Sequence, residues 1–533
     1  MIFIRTVVLS AASAVAAVLV TVPAAAAHLP ATDHQASQVT LRAPGYVWTR
    51  TASTVGVSVF SGSLSRPSVT PVWTVTVFAP AISSLTGLPT TTELGSGGWA
   101  HESEQKLQTA GYAAQVAAVA WPDYTDTPHG VQGYRVRTGS YGSQVDAQAV
   151  AVRLKGAGFT TATVQWTGYD SDAPVDAEHV HVAVIDPREL HGTITATHGS
   201  AIAQRTTTSQ LAQQSHAIVA VNGGYFVTSD ADGFQGAPSG LAAYEGTLQA
   251  MSVGDRAALV LQDNHVSIQH LVSTVTLTSG GASAQVDGIN RRPGLVRDCG
   301  RPQLQPTSQP RQDITCTTGS DTVLFTAQFG APLPAGPGVQ VVLDATGHVL
   351  SLGARGGSVP VGGSAIQAIG APATWLTSHL SVGVRIGVVD RVRDDRTGQP
   401  VDIHATTGIL SAGPTLLHDG QPAIDAATEG VIDPRDRSFN FAWAEIRQPR
   451  TMVGTDASGR LLLVTVDGRG PGISEGLTLV EEARLMRELG ARQAMNLDGG
   501  GSTAMAVNGA LVNHPSDASG ERADGDALVI IPG

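Results

Sequence analysis

The sequence predicts a protein of the α+β / α/β class: a small domain of two repeated βαβ units, then a large mixed-sheet α/β domain. Three observations carry this. The segments LQTAGYAAQVAAVAW (107–121) and LKGAGFTTATVQW (154–166) share a Leu, an Ala-Gly-aromatic step and an alternating run. Such self-similarity marks an internal repeat. From residue 178 onward, short alternating stretches recur between turn signals. Near the C-terminus, 460–497 reads as strand, helix and strand, each strand closing on an aspartate.

Length and composition bound the rest. At roughly 100–200 residues per domain, 533 residues make about two to four domains. A hydrophobic fraction of 42% supports a sizeable core, and a formal charge of −12 (32 basic against 44 acidic residues) leaves no basic footprint for nucleic acid. Arg5, an apolar run over 6–22, Pro23 and Ala25-Ala26-Ala27 read as a signal peptide, 1–27, cleaved before His28. The alternative is an uncleaved anchor. Cleavage makes the protein secreted or cell-wall associated. In an exported chain the two cysteines, Cys299 and Cys316, are expected as one disulfide closing the polar loop 301–313.

Residues 28–67 are polar and without period, which predicts a linker. The alternation in 69–78 predicts a strand, 101–110 a helix stopped by Gly111, and 112–121 a second strand. The pattern repeats with a strand at 134–138 and a helix capped by Ser143, with Asp146 at the third position. That helix carries Ala147, Val150, Ala151 and Leu154 on one side, and 159–166 is the next strand. The stretch YRVRTGSYGSQVDAQAVAVRLKGAGF (134–159), with its weaker partner before it, resembles the SPOR (sporulation-related repeat) domain. The resemblance places such a domain at 68–168 and implies binding of peptidoglycan glycan strands. Tyr134, Val136 and Thr138 share one sheet face by period two, the face on which the groove is expected.

Residues 169–177 read as a second linker, and 178–533 as one large domain. Strands are expected at 179–185, 257–261, 339–343 and 460–466. Asp344–Gly347, Asp456–Gly459 and Asn508-Gly509 mark hairpins, the last suited to a type I′ turn.

The chemistry concentrates in 449–517. The buried-type strand 460–466 ends in Asp467-Gly468-Arg469, and Thr478 and Glu481 form a capping box for a helix that Gly490 stops. The strand 492–497 then ends at Asp498. A crossover helix makes the two strands parallel, so Asp467 and Asp498 share one sheet edge. They would start about 5 Å apart as neighbours, or about 10 Å with one strand between, and paired carboxylates in glycoside hydrolysis use such separations. Gly499-Gly500-Gly501 lets backbone approach a ligand and suits an anion, with Ser502 and Thr503 adding hydroxyl donors. In AIVAVNGGYF (217–226), Asn222 again ends a strand before Gly223 and Gly224, with Tyr225 placed to stack on a sugar.

These segments, with DGINRRPG (287–294), RQPRTMVG (447–454) and VNHPSD (512–517), resemble the phosphodiester glycosidase family. The resemblance spans roughly 178–533 and implies hydrolysis of a sugar-1-phosphodiester of the GlcNAc-1-phosphate type. Released sugar and a phosphomonoester are the products. Read onto this chain, it makes Asp498, Asp467 and Glu482 the catalytic candidates, with acid and base unassigned. Arg450, Arg469 and the glycine loop would hold the phosphodiester, and Asn222, Asn496 and Asn513 the sugar. Histidines are scattered without metal-ligand spacing, so no cofactor or catalytic metal is expected, a divalent cation at the aspartates being left open. The expected partners are peptidoglycan glycan strands and a phosphodiester-linked polysaccharide of the envelope or an exopolysaccharide. A wall protein that binds glycan without cleaving it is the alternative.

Overall fold

The computed structural model describes residues 39–64, 72–83, 88–299, 309–437 and 439–533. The expected signal peptide lies outside these. Among the described residues no helix is long and apolar enough to cross a membrane.

An eight-stranded antiparallel sheet positions the site. Its strands run in the order Tyr46–Thr54, Val57–Leu64, Glu178–Ile185, Leu461–Val466, Arg450–Asp456, Ala491–Asn496, Thr415–His418 and Gln421–Pro422. The central strands are buried on both faces, which is why their sequences read as continuous apolar runs. Val180, Val182, Leu462 and Val464 pack under the helix Leu479–Glu488 through Leu479, Ala483 and Met486. The alternate residues Ala183, Ile185, Leu463 and Met495 face a second sheet through Val219, Val221, Leu528 and Ile530, and a third through Leu259 and Leu410.

The helix forms where its signals put it. The Thr478 hydroxyl accepts from the Glu481 N–H, and the Glu481 carboxylate accepts from the Thr478 N–H. Gly490 follows at φ 95°, the left-handed region a helix stop requires. Asn508 and Gly509, at φ 50° and 75°, make the turn between Met505–Val507 and Ala510–Leu511.

The two crossover strands are parallel to each other with Arg450–Asp456 between them, paired antiparallel with both, the wider of the two spacings the sequence left open. The Asp456–Gly459 turn makes it the hairpin partner of Leu461–Val466. One expectation is corrected here. Residues 28–67 are not all linker, because Tyr46–Thr54 and Val57–Leu64 extend the large sheet through pairing with Glu178–Ile185.

In the N-terminal half the two strand–helix–strand units interleave. The sheet order is Ala114–Ala120, Val131–Tyr141, Trp73–Val77, Ala162–Trp166, all antiparallel, with helices Gly97–Thr109 and Gln144–Gly156. The Ser143 hydroxyl caps the second helix at the Asp146 N–H, and Ala147, Val150, Ala151 and Leu154 are buried. Val136 and Thr138 are also buried, Val136 against Ala147 and Leu154 beneath the helices, so these proposed groove residues turn inward. The opposite face carries Arg135 and Arg137, paired with Glu93 and Asp170.

This half packs firmly on the larger one. Trp166 Nε1 donates to Glu475 (3.0 Å), Arg447 Nη1 to the Gly168 carbonyl (2.6 Å), and Gln132 to Glu445 (2.9 Å). The expected linker 169–177 is tied down too, since Glu475 and Asp176 join Val175 and Gly472 across it. The tie has little room: a Cβ on Gly168 would lie 1.5 Å from Glu475 Oε1. Gly168→Ala is therefore expected to loosen this contact and lower the unfolding midpoint, which a thermal melt checks.

Candidate functional site

Strand ends of two sheets meet around the Asn496–Thr503 segment. The Asn222 side chain, at the end of Val219–Asn222, donates to the Asp498 carbonyl (2.7 Å) and accepts from Thr451 (2.6 Å) and the Ala504 N–H (3.1 Å). Asn496 donates to the Gly413 carbonyl (2.8 Å), and Asn513 holds the Met505 N–H (2.8 Å) and the Thr503 carbonyl (3.0 Å). All three asparagines are buried. They were expected to bind sugar; instead they fix the loop that presents Asp498.

A cleft of about 190 Å³ opens above that loop, lined by Tyr225, Trp443, Arg297, Asp313, Arg469, Asp498, the three glycines and Arg522. Asp498 keeps part of its surface open to this cleft. The surrounding protein desolvates it and pushes its pKa up to about 7, with the Ser502 hydroxyl partly offsetting. The other acids of the cleft are engaged: Asp298 with Arg256 (2.7 Å), and Asp313 with Arg297. Asp498 is thus the carboxylate of this cleft with no direct ion-pair partner among the described residues.

The glycine loop works differently from the open anion nest the sequence implied. The N–H groups of Gly499, Gly500, Ser502 and Thr503 all donate within the protein. What the glycines provide is room for arginines. An added Cβ on Gly500 would sit 2.9 Å from Arg469 Nη2, and one on Gly501 would sit 2.0 Å from Arg522 Nη2. Arg469 holds a left-handed φ of 58°, uncommon for a residue other than glycine, and its Nε donates to Gln448 (2.6 Å). Burial, and then the neighbouring Arg522 charge, disfavour its own charge. Arg522 is steadied by Asp517 (2.8 Å).

Several expected site residues fall elsewhere. Asp467 lies outside the cleft lining, its carboxylate accepting from the His514 N–H (2.9 Å). Arg450 and Glu482 form a fully buried pair (3.0 Å) beneath the helix. Arg450 also donates to the Leu477 and Trp443 carbonyls and lies over the Trp443 ring (4.9 Å). It supports an aromatic wall of the cleft and is not itself among the residues that line it. Gly223 and Gly224 make room for Asp526 and the Ser411 carbonyl. Tyr225 does line the cleft, with its hydroxyl bound to the Gly413 carbonyl. Cys299 and Cys316 are bonded, and the clip brings Arg297, Asp298, Gln312 and Asp313 to the cleft wall.

The buried pair allows a clean separation of fold from chemistry. Removing one partner of a buried ion pair costs about 3–5 kcal/mol because the other charge is stranded. Arg450→Met is expected to lower stability by less than that at neutral pH, because Glu482, already pushed up to about 8 by burial, takes up a proton once Arg450 is gone, while the guanidinium's bonds to the Leu477 and Trp443 carbonyls are lost. A denaturant melt reads this.

Four contributors carried no sequence signal. Trp443 and Arg522 line the cleft from segments without motif spacing. Asp524 is buried; burial and then the Asp498 charge hold its pKa well above the usual range, with the Ser502 hydroxyl partly offsetting. Asp526, pushed to about 6 by burial, is bound by the Tyr244 hydroxyl and the Gly224 N–H (2.8 Å). Pairing of Ala527–Pro532 with Val219–Asn222 brings Asp526 beside the Asn222 glycines.

Residues 338–531 match the phosphodiester glycosidase family, and residues 100–165 match the SPOR domain. The mouse N-acetylglucosamine-1-phosphodiester alpha-N-acetylglucosaminidase is 34% identical over 110 residues, covering 20% of this chain and 21% of that protein. A prophage-derived uncharacterized protein of Bacillus subtilis (strain 168) is 40% identical over 103 residues, covering 19% of this chain and 16% of that one. The chain thus spans about a fifth or less of the length of the curated relatives it matches. A putative exported protein from Burkholderia pseudomallei K96243 has a similar solved structure: TM-score 0.78, 29% identity, 92% of this chain and 98% of that one covered. A hypothetical protein from Synechocystis shares the fold at TM-score 0.51 and 17% identity, covering 91% of this chain and 76% of that one. The chain carries a phosphodiester glycosidase domain, matched over 338–531, and a SPOR domain, matched over 100–165, in its N-terminal half.

Proposed function

We propose that this protein is an exported hydrolase that cleaves sugar-1-phosphodiester links, of the N-acetylglucosamine-1-phosphate type, in envelope or exopolysaccharide glycans. One observation carries the reading: a cleft carboxylate without an ion-pair partner, Asp498, stands beside two guanidiniums, Arg469 and Arg522, that the glycine loop admits. The arginines hold the phosphodiester anion, and Trp443 and Tyr225 face the sugar. Ionised Asp498 stands at the anomeric carbon, as the base for a water or as the nucleophile. The bond from the anomeric carbon to the phosphate oxygen breaks, and the electron pair leaves with phosphate. A phosphomonoester has its second pKa near 6, so it departs without a proton and needs no general acid. The arginines stabilise the charge that grows on it.

This role requires the charged form of Asp498, whose pKa sits at about 7. The expected kcat/KM therefore rises with pH through about 7 and levels above it. A profile that falls through that range would make Asp498 an acid and contradict the assignment.

The SPOR domain supports retention at peptidoglycan. The full chain is expected to sediment with amidase-treated sacculi, whose glycan strands lack stem peptides. No enrichment over untreated sacculi would remove the targeting part while leaving the hydrolase reading intact.

A further inference from the structure

Three side chains of metal-ligand type converge away from the Asp498 cleft. Ligand atoms of His270, Asp425 and Glu429 all lie within 4.8 Å of one another. Their separation along the chain hides them from any reading of motif spacing. His270 and Glu429 are buried, and Asp425 is half-buried.

The histidine is already oriented. Its Nδ1 lies 2.8 Å from the Asp255 carbonyl, an acceptor only, so Nδ1 carries the proton and the neutral ring keeps its lone pair on Nε2. A carbonyl behind the imidazole is the usual outer support of a metal-bound histidine. Nε2 itself has only the Thr415 hydroxyl, 3.2 Å away. Glu429 is 1% exposed and receives two backbone N–H groups, from Thr415 (2.8 Å) and Ala257 (3.1 Å). No described side-chain cation pairs with it. A carboxylate taken out of water and given only neutral donors is costly unless a cation joins it. Asp425 accepts from the Thr125 hydroxyl and from Arg396 (2.7 Å). A cleft of about 810 Å³, lined by His270, Thr415 and Arg396, reaches the cluster from solvent.

We infer that His270, Asp425 and Glu429 form a binding site for one divalent cation of the zinc class. One imidazole nitrogen and two carboxylate oxygens make three protein ligands, with a further position left for water from the cleft. The nitrogen ligand favours zinc over calcium or magnesium, which prefer all-oxygen sets. The ion would brace the strand His265–Ser279 against the 424–429 segment. That segment also receives the N-terminal half, through Thr125 on the Ile424 carbonyl and Asp126 on the Ala427 and Thr428 N–H groups.

The test uses the full chain, equilibrated with zinc, desalted and assayed for metal by mass spectrometry. The expected result is one zinc retained per chain, a higher unfolding midpoint than after chelation, and cobalt absorption bands when Co²⁺ replaces zinc. His270→Ala and Asp425→Asn are each expected to weaken retention by at least about 10-fold. His418→Ala, in the same cleft but outside the trio, should retain zinc as the parent does. Because Asp425 is half-buried, its Asn variant keeps the test informative if His270→Ala fails to fold. Substoichiometric zinc in the parent chain, or equal retention by Asp425→Asn, overturns the site.

Discussion

Asp498→Asn is expected to lower sugar release from a sugar-1-phosphodiester by about 10³-fold or more, within the range attributed to a positioned general base and beyond it for a nucleophile. The substitution keeps the shape of the side chain, and the backbone bonds of residue 498 to Gly223 and Asn222 do not depend on its charge. The same variant should be more stable than the parent at neutral pH. The folded-state pKa of Asp498, about 7, is raised above its ordinary value of 3.8. Such a group contributes stability that is complete in acid and is lost as pH rises from near 4 through about 7. Asparagine has no charge to desolvate. The two proteins should therefore melt alike near pH 4 and diverge by pH 8, the variant being more stable by about 1–3 kcal/mol. Lower activity with higher stability separates a functional carboxylate from a structural one. A variant that loses both marks Asp498 as part of the scaffold.

Arg469→Met is expected to lower kcat/KM by about 10²–10³-fold, the usual cost of removing a group aimed at developing charge in a water-poor site. Arg469 is the stronger of the two arginines because Arg522 already pairs with Asp517, whereas Arg469 has no described carboxylate partner and is held by Gln448. Its left-handed backbone is the kind of local strain that persists where the surroundings over-determine it. The specific readout is substrate discrimination. The parent should prefer a phosphodiester over an aryl glycoside of the same sugar, and Arg469→Met should lose most of that preference. An unchanged preference with lower activity would mean that the arginine supports the fold and not the anion. Gly501→Ala should behave as a milder version, since its Cβ would displace Arg522.

Which parts were legible in the sequence follows from the range of the interactions involved. The Leu479–Glu488 helix, its Thr478–Glu481 box and the Asn508-Gly509 turn rest on contacts within a few residues, and each formed as read. The segment 496–503 stood out in the sequence because three glycines directly after a strand-end aspartate let backbone or a ligand come close, and the structure places Asp498 and the three glycines on a cleft wall. Its working partners did not stand out. Arg450 and Asn222 read as ligand groups because polar residues at strand ends usually face solvent; here Glu482 and Thr451 satisfy them in the interior. Asp467 and Asp498 close parallel strands with one strand between them, one of the two spacings the sequence allowed, and the Asp467 carboxylate accepts from the His514 N–H outside the cleft lining. Trp443, Arg522 and Asp524 reach the site only through tertiary pairing, which no local spacing encodes.

The proposed hydrolysis of a sugar-1-phosphodiester by Asp498 and its neighbouring arginines can be read in one assay. It is tested most directly by incubating the full chain with an N-acetylglucosamine-1-phosphodiester and measuring free N-acetylglucosamine together with the phosphomonoester, for the parent and for Asp498→Asn. The expected result is equimolar release of both products by the parent and at least about a 10³-fold lower rate for the variant. Absence of turnover by the parent on this and other sugar-1-phosphodiesters, or equal turnover by Asp498→Asn, would contradict it.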